Sequence, residues 1–82
     1  MLMADNNGKY DNAFIKSLEV SKKELKNLKY NQIEAWDSIG HMSLMSELEK
    51  VFKISLKTDD VIAFESHKKG KEILKKYKVN IK

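Results

Sequence analysis

The chain has 82 residues with no cysteine and no proline, and its 16 basic residues, all of them lysine, outnumber 12 acids to leave a formal charge of +4. The absence of cysteine excludes a disulfide framework and a thiolate metal site and suits a reducing, cytoplasmic setting. At this length a single domain, 1–82, is expected, burying only roughly 60 per cent of the surface its unfolded form exposes. No apolar run approaches the roughly 20 residues that span a bilayer. The opening MLMADNNGKYDN puts acidic and amide side chains where a signal peptide would carry its apolar core, so neither secretion nor a membrane span is expected.

Apolar residues recur mostly at spacings of three and four, which predicts an all-α fold. Residues 1–7 are expected to fray. A first helix is predicted from about Tyr10 to Leu18, with Phe14, Ile15 and Leu18 on one face. From Val20 to Ala35 the pattern loosens into a long, partly structured connection. Leu25, Leu28 and Ile33 are buried intermittently there, and Ser21 with Glu24 stands in the capping-box arrangement that opens a turn or two. The strongest helix runs from Ser38 to about Phe52, roughly 22 Å at 1.5 Å per residue, with Leu44, Leu48, Val51 and Phe52 as its apolar stripe. The segment KISLKT alternates briefly but has no partner strand and reads as a loop with Ile54 or Leu56 tucked in. A short third helix starts at Thr58 or Asp59, and Ser66 caps a last helix from His67 to about Tyr77 with Ile73, Leu74 and Tyr77 inward. Residues 78–82 are expected to be loose.

Functional signals concentrate where the long helix begins. Asp37 and Ser38 are both good N-cap residues, and either side chain can satisfy first-turn amides at roughly 1 kcal/mol. Capping does not explain Gly40, a poorer helix former than alanine by up to roughly 1 kcal/mol; a missing side chain beside a hydroxyl leaves room for an approaching group. Nor does it explain Ile39, Met42 and Met45, which lie toward solvent if Leu44, Leu48 and Phe52 face the core, and which as neighbouring apolar side chains mark a contact surface.

The stretch WDSIGHMSLMSELEKVF resembles the signature of the acyl carrier and peptidyl carrier protein family, in which an Asp-Ser-Leu triplet (here Asp37, Ser38, Ile39) opens the second helix. The resemblance runs from about residue 14 to 77. It implies a four-helix acyl-carrier-protein-like bundle, with a long loop between helices 1 and 2 and a short helix 3. It also implies covalent attachment of 4'-phosphopantetheine, taken from coenzyme A, to the Ser38 hydroxyl. On the same resemblance Asp37 serves the magnesium-dependent step of a phosphopantetheinyl transferase. Ile39, Met42 and Met45 form the apolar docking patch, Glu47 and Glu49 add polar partner contacts, and Trp36 packs the incoming loop. The implied protein is a monomer without activity of its own that carries acyl or aminoacyl thioesters, loaded by an acyl- or aminoacyl-activating ligase and passed to an acyltransferase.

The chain departs from strongly acidic fatty-acid carriers in its net charge, in Ser43, and in His41, Lys50 and Lys53, which favours a specialised biosynthetic pathway whose enzymes carry less positive surface. An enzyme built on Ser38, His41 and Asp37 is disfavoured because three neighbours on one turn do not converge on a substrate as separated segments do. His41 and His67 have no metal-ligand spacing and read as surface histidines, so no metal is expected. The alternative is a small basic helical nucleic-acid-binding module whose last-helix lysines, Lys68, Lys69, Lys71, Lys75, Lys76 and Lys78, track phosphates. The lack of arginine and of interleaved aromatics weighs against it, so no nucleic-acid partner is expected.

Overall fold

The computed structural model describes residues 6–81. They form four α-helices, α1 (Asn6–Leu18), α2 (Ser38–Phe52), α3 (Thr58–Ala63) and α4 (His67–Lys75), with a 3-10 turn at Lys22–Glu24 between the first two. Among the described residues there is no strand, and an antiparallel bridge joins Lys29 to Ser66. The chain is thus all-helical, with a long first connection and a short third helix. None of the helices is long and apolar enough to cross a membrane.

Spacing explains which face each helix buries. In α1, Tyr10, Ala13, Phe14 and Leu18 are buried, a stripe that lies along α2. In α2 the buried line is His41, Leu44, Met45 and Leu48. The expected stripe is therefore rotated: Val51 and Phe52 are only half-buried, because the i, i+3, i+4, i+7 line that meets α1 begins one turn earlier, at His41.

The core is aromatic, and Phe14 stands at its centre. Its ring meets Tyr10 at 5.0 Å, Trp36 at 5.5 Å and His67 at 5.0 Å in edge-on contacts, with Phe64 at 6.2 Å. Such edge-to-face pairs contribute about 0.5–1.5 kcal/mol beyond area burial. One ring thereby joins α1, the long connection, the α3–α4 turn and α4. The Tyr10 hydroxyl donates to the His67 carbonyl at 2.5 Å, and burial, with the Asp11 carboxylate adding to it, pushes that phenol above its ordinary range.

The long connection is stitched down rather than free. Ser21 N–H donates to Glu24 Oε1 at 2.9 Å, as the capping-box spacing led one to expect. Tyr30 N–H donates to the Glu65 carbonyl at 2.7 Å, and His67 N–H to the Leu28 carbonyl at 2.9 Å. Ser66 caps α4 by accepting from Lys69 N–H at 2.9 Å. Asp60 on α3 accepts from the Lys76 ammonium and the Tyr77 hydroxyl beyond the end of α4, which holds its carboxyl below the usual range, Lys76 being the larger cause.

Both ends depart from expectation. Asn6 and Asn7 are helical, and the Asn6 side chain donates to the Asn80 carbonyl at 3.1 Å. Val79 and Ile81 are buried, so the tail expected to be loose packs back. Burying each of these two apolar side chains is worth about 1.5–3 kcal/mol, enough to offset ordering the backbone. The expectation of fraying at residues 1–5 and 82 lies outside the described residues.

Gly70 sits inside α4 because a Cβ there would collide with the Phe64 ring and the Tyr10 hydroxyl. Gly70→Ala, which in an open helix would gain up to about 1 kcal/mol, is expected instead to lower stability by about 1–3 kcal/mol through overpacking, read as a drop in the urea midpoint. A second test concerns His67, whose Nε2 lies 2.7 Å from Asp11 Oδ1. Burial holds this imidazole below its ordinary 6.5, Asp11 opposing the shift and Lys71 adding to it. Between 6.5 and the lower folded value the folded chain holds fewer protons here than the unfolded chain, so stability is full above that window and declines as pH falls through it. Thermal midpoints at about pH 7.5 and 5.5 should therefore fall in the parent and fall less in His67→Gln.

Candidate functional site

Ser38 is the first residue of α2 and is exposed. It does not cap the helix. Asp37 does, in an extended conformation (φ −103°, ψ −166°), its Oδ1 accepting from Gly40 N–H at 2.9 Å while its carbonyl accepts from His41 N–H at 2.8 Å. The hydroxyl next to it is therefore not needed to complete the first turn.

The turn that delivers Ser38 is fixed from behind. Trp36 is fully buried, as expected of an aromatic packing the incoming loop, and its indole N–H donates to His41 Nδ1 at 2.9 Å. With Nδ1 accepting, the imidazole hydrogen is on Nε2, which faces the Val61 carbonyl at 2.7 Å. One neutral ring thus ties the end of the long connection to α2 and satisfies a terminal carbonyl of α3. Both histidines, expected at the surface, are buried: His41 is drawn in by the Trp36 and Val61 partners, and His67 by Asp11 and the Phe14 ring.

Gly40 also has a different reason from the expected one. A Cβ there would collide with the Ala35 carbonyl oxygen, so the missing side chain makes room for the chain's own connection, not for an incoming group. The close approach is what lets residues 35–37 turn sharply enough to leave Ser38 facing outward.

On the outer face of α2, Ile39 is 77% and Met42 55% exposed. Met45, expected beside them, is 2% exposed; it falls on the 41–44–45–48 line and belongs to the core. Glu49 is likewise turned to a structural task, its Oε2 accepting from Leu56 N–H at 2.7 Å to pin the loop after α2. Glu47 pairs with Lys16 of α1 at 3.5 Å. These two acids are not displayed outward as free partner contacts.

Beside Ser38 lies an open groove of about 870 Å³ between α1 and α2, bordered by Ser17, Ile39, Met42, Ser43 and Ser46, with the Lys16–Glu47 pair at its side. Ser17 and Lys16 were not singled out from the sequence, although polar positions 12, 16 and 17 mark the outer face of α1. Ile62 of α3, 74% exposed, was also missed; its neighbour Val61 meets His41, which sets it near the start of α2. The last-helix lysines do not form one track: Lys76 is held by Asp60, Lys69 lies 4.0 Å from Glu72, and Lys68 and Lys71 line a cleft elsewhere.

Trp36→Phe keeps an aromatic ring but deletes the indole N–H with the pyrrole half of the side chain, leaving a buried imidazole nitrogen without its partner and a small void beside it. A loss of about 1–3 kcal/mol is expected in urea unfolding, and in a double-mutant cycle with His41→Ala the two losses should fall short of additive, since each variant breaks the same bond. No family model matches the chain, and no curated protein and no solved structure matches it either.

Proposed function

We propose that the chain is a discrete carrier protein of the acyl and peptidyl carrier type, acting in the cytoplasm, with Ser38 as the attachment point for 4'-phosphopantetheine. The observation that carries this reading is the exposed Ser38 hydroxyl on the first residue of a 15-residue helix whose capping is done by another side chain. A phosphodiester there lies at the positive end of α2, where free amides and the macrodipole favour an anion by about 0.3–1 kcal/mol. Ser38 itself needs no activating base, because a separate transferase performs the displacement on coenzyme A. The bound group supplies the thiol, absent from the chain, on which acyl or aminoacyl groups ride as thioesters.

The chain's own residues fit that group. Among the described residues nothing bulky covers Ser38, and the adjoining groove alternates hydroxyls (Ser43, Ser46) with apolar side chains (Ile39, Met42), suited to a tether of amides and short hydrocarbon links. Asp37 holds the turn and leaves a negative charge beside the hydroxyl, where the magnesium of a transferase would be received. Ile39 and Met42, with Ile62 nearby, form the apolar patch on which the ligase and acyltransferase dock. The basic balance of the chain favours partners of a specialised biosynthetic pathway over those of housekeeping fatty-acid synthesis, whose enzymes meet acidic carriers.

Incubation with coenzyme A and a broad-specificity phosphopantetheinyl transferase should add one prosthetic group to the parent and none to Ser38→Ala, read by intact mass. An unmodified parent, or a modified variant, contradicts the reading. Asp37→Asn retains an equally good cap, so its stability should change by no more than about 0.5 kcal/mol, while modification of Ser38 slows.

A further inference from the structure

The groove between α1 and α2 changes character along its length. At the Ser38 end its wall carries Ile39 and Met42; further along α2 come Ser43, Ser46, Glu47 and Lys50, with Lys16 and Ser17 of α1 alongside. Glu47 stands about two and a half turns beyond Ser38, or about 13 Å along the helix at 1.5 Å per residue. A phosphopantetheine tether has the extended length of about five residues of chain, roughly 17 Å. A group carried at its tip therefore reaches past Met42 into the polar half.

Of the charges in that half, Glu47 is the recessed one. Its side chain is 18% exposed against 67% for Lys16, and the two meet at 3.5 Å, longer than the usual range of about 2.7–3.2 Å. Lys50 is also exposed, so the positive charges are solvated and the positioned charge is negative. A carboxylate offers about four acceptor sites, and one long contact to a solvated ammonium leaves room for a second cation. Ser43, one turn back on the same face, adds a hydroxyl that can accept from it. A long hydrocarbon finds nothing comparable. Beyond Met42 it would lie on hydroxyls and charges with its surface still in water. The aromatic centre is closed to it: Phe14 is ringed by edge-on contacts, and even one Cβ at Gly70 would collide with Phe64 and Tyr10.

We propose, resting on the carrier reading, that the cargo is a small acyl group bearing a primary ammonium, an aminoacyl unit, and that Glu47 accepts its N–H groups in the groove in place of Lys16. The contact selects rather than binds tightly. Exposed ion pairs are weak, but a tethered partner is supplied at an effective concentration of about millimolar, at which a weak contact is populated.

The test loads isotopically labelled full-length chain, through the transferase, from amide-linked coenzyme A analogues carrying alanyl, isobutyryl or octanoyl groups. Isobutyryl keeps the alanyl frame and replaces its ammonium by a methyl group. Intact mass first reports attachment. No gain on the parent overturns the carrier reading and this one with it, whereas attachment without discrimination overturns this one alone. Relative to the isobutyryl form, the alanyl form should shift the Ser46 and Glu47 amides and the Glu47 carboxyl carbon. That difference should vanish in Glu47→Gln, grow in Lys16→Met, where the competing ammonium is gone, and shrink by half or more in about 0.5 M salt. Both variants alter a groove-side pair worth little to folding, so their thermal midpoints should match the parent's. Equal shifts from alanyl and isobutyryl, a difference that survives Glu47→Gln, or an octanoyl chain that moves the Phe14 and Leu44 side-chain signals overturns the assignment.

Discussion

The indole N–H of Trp36 and the imidazole of His41 form the bond on which the presentation of Ser38 depends. They are five residues apart, and between them the chain changes from an irregular connection into the longest helix. A hydrogen bond of 2.9 Å between two buried rings, continued from the other imidazole nitrogen to the Val61 carbonyl, fixes where α2 begins relative to both the connection and α3. In a low-dielectric interior such a chain of bonds is worth more than its members in water, and each orphaned member costs more. The Phe14 ring presses on Trp36 from the α1 side, so the same fixture is tied to the aromatic core.

Once that fixture is in place the rest of the site follows from sterics. The Ala35 carbonyl approaches α2 so closely that position 40 must be glycine. Asp37, held extended, takes the capping bond, and Ser38 is left as the first helical residue with its side chain outside. The outer face of α2 then carries Ile39 and Met42 because the inner line, His41 to Leu48, is fully occupied. Structural and functional demands are thus divided between adjacent residues: Trp36, Asp37, Gly40 and His41 build the turn, and Ser38, Ile39 and Met42 are what it displays.

Much of this was legible in the sequence. The bounds of α2, the Ser66 cap, the capping box at Ser21 and Glu24 and the outward Ile39 and Met42 each follow from local rules that tertiary contacts did not override. The misses share one cause, which is that long-range pairing is invisible to local periodicity. His41 and His67 are polar residues on core lines, and only the partners supplied by Trp36, Val61 and Asp11 make their burial affordable. Met45 shifts inward because the stripe is set by where α1 lies. Val79 and Ile81 are two short apolar positions among polar ones, and their burial depends on the N-terminal end of α1 lying within reach. The lysine-rich composition was read as a whole, whereas in the folded chain the lysines are dispersed: Lys76 serves a carboxylate, Lys16 pairs across the groove, and Lys68 and Lys71 line a cleft elsewhere. That division makes the net charge a poor guide to the surface around Ser38.

The central claim is that the turn bearing Ser38 is built before anything is attached to it. The amide and indole resonances of the protein before and after phosphopantetheinylation test it most directly. Changes confined to Ser38, Ile39 and the residues along the α1–α2 groove, with the Trp36 indole and His41 ring signals unmoved, are the expected result. Movement of the Trp36 and His41 signals, or changes spread through α3 and α4, would mean that the buried fixture gives way on modification, and would contradict it.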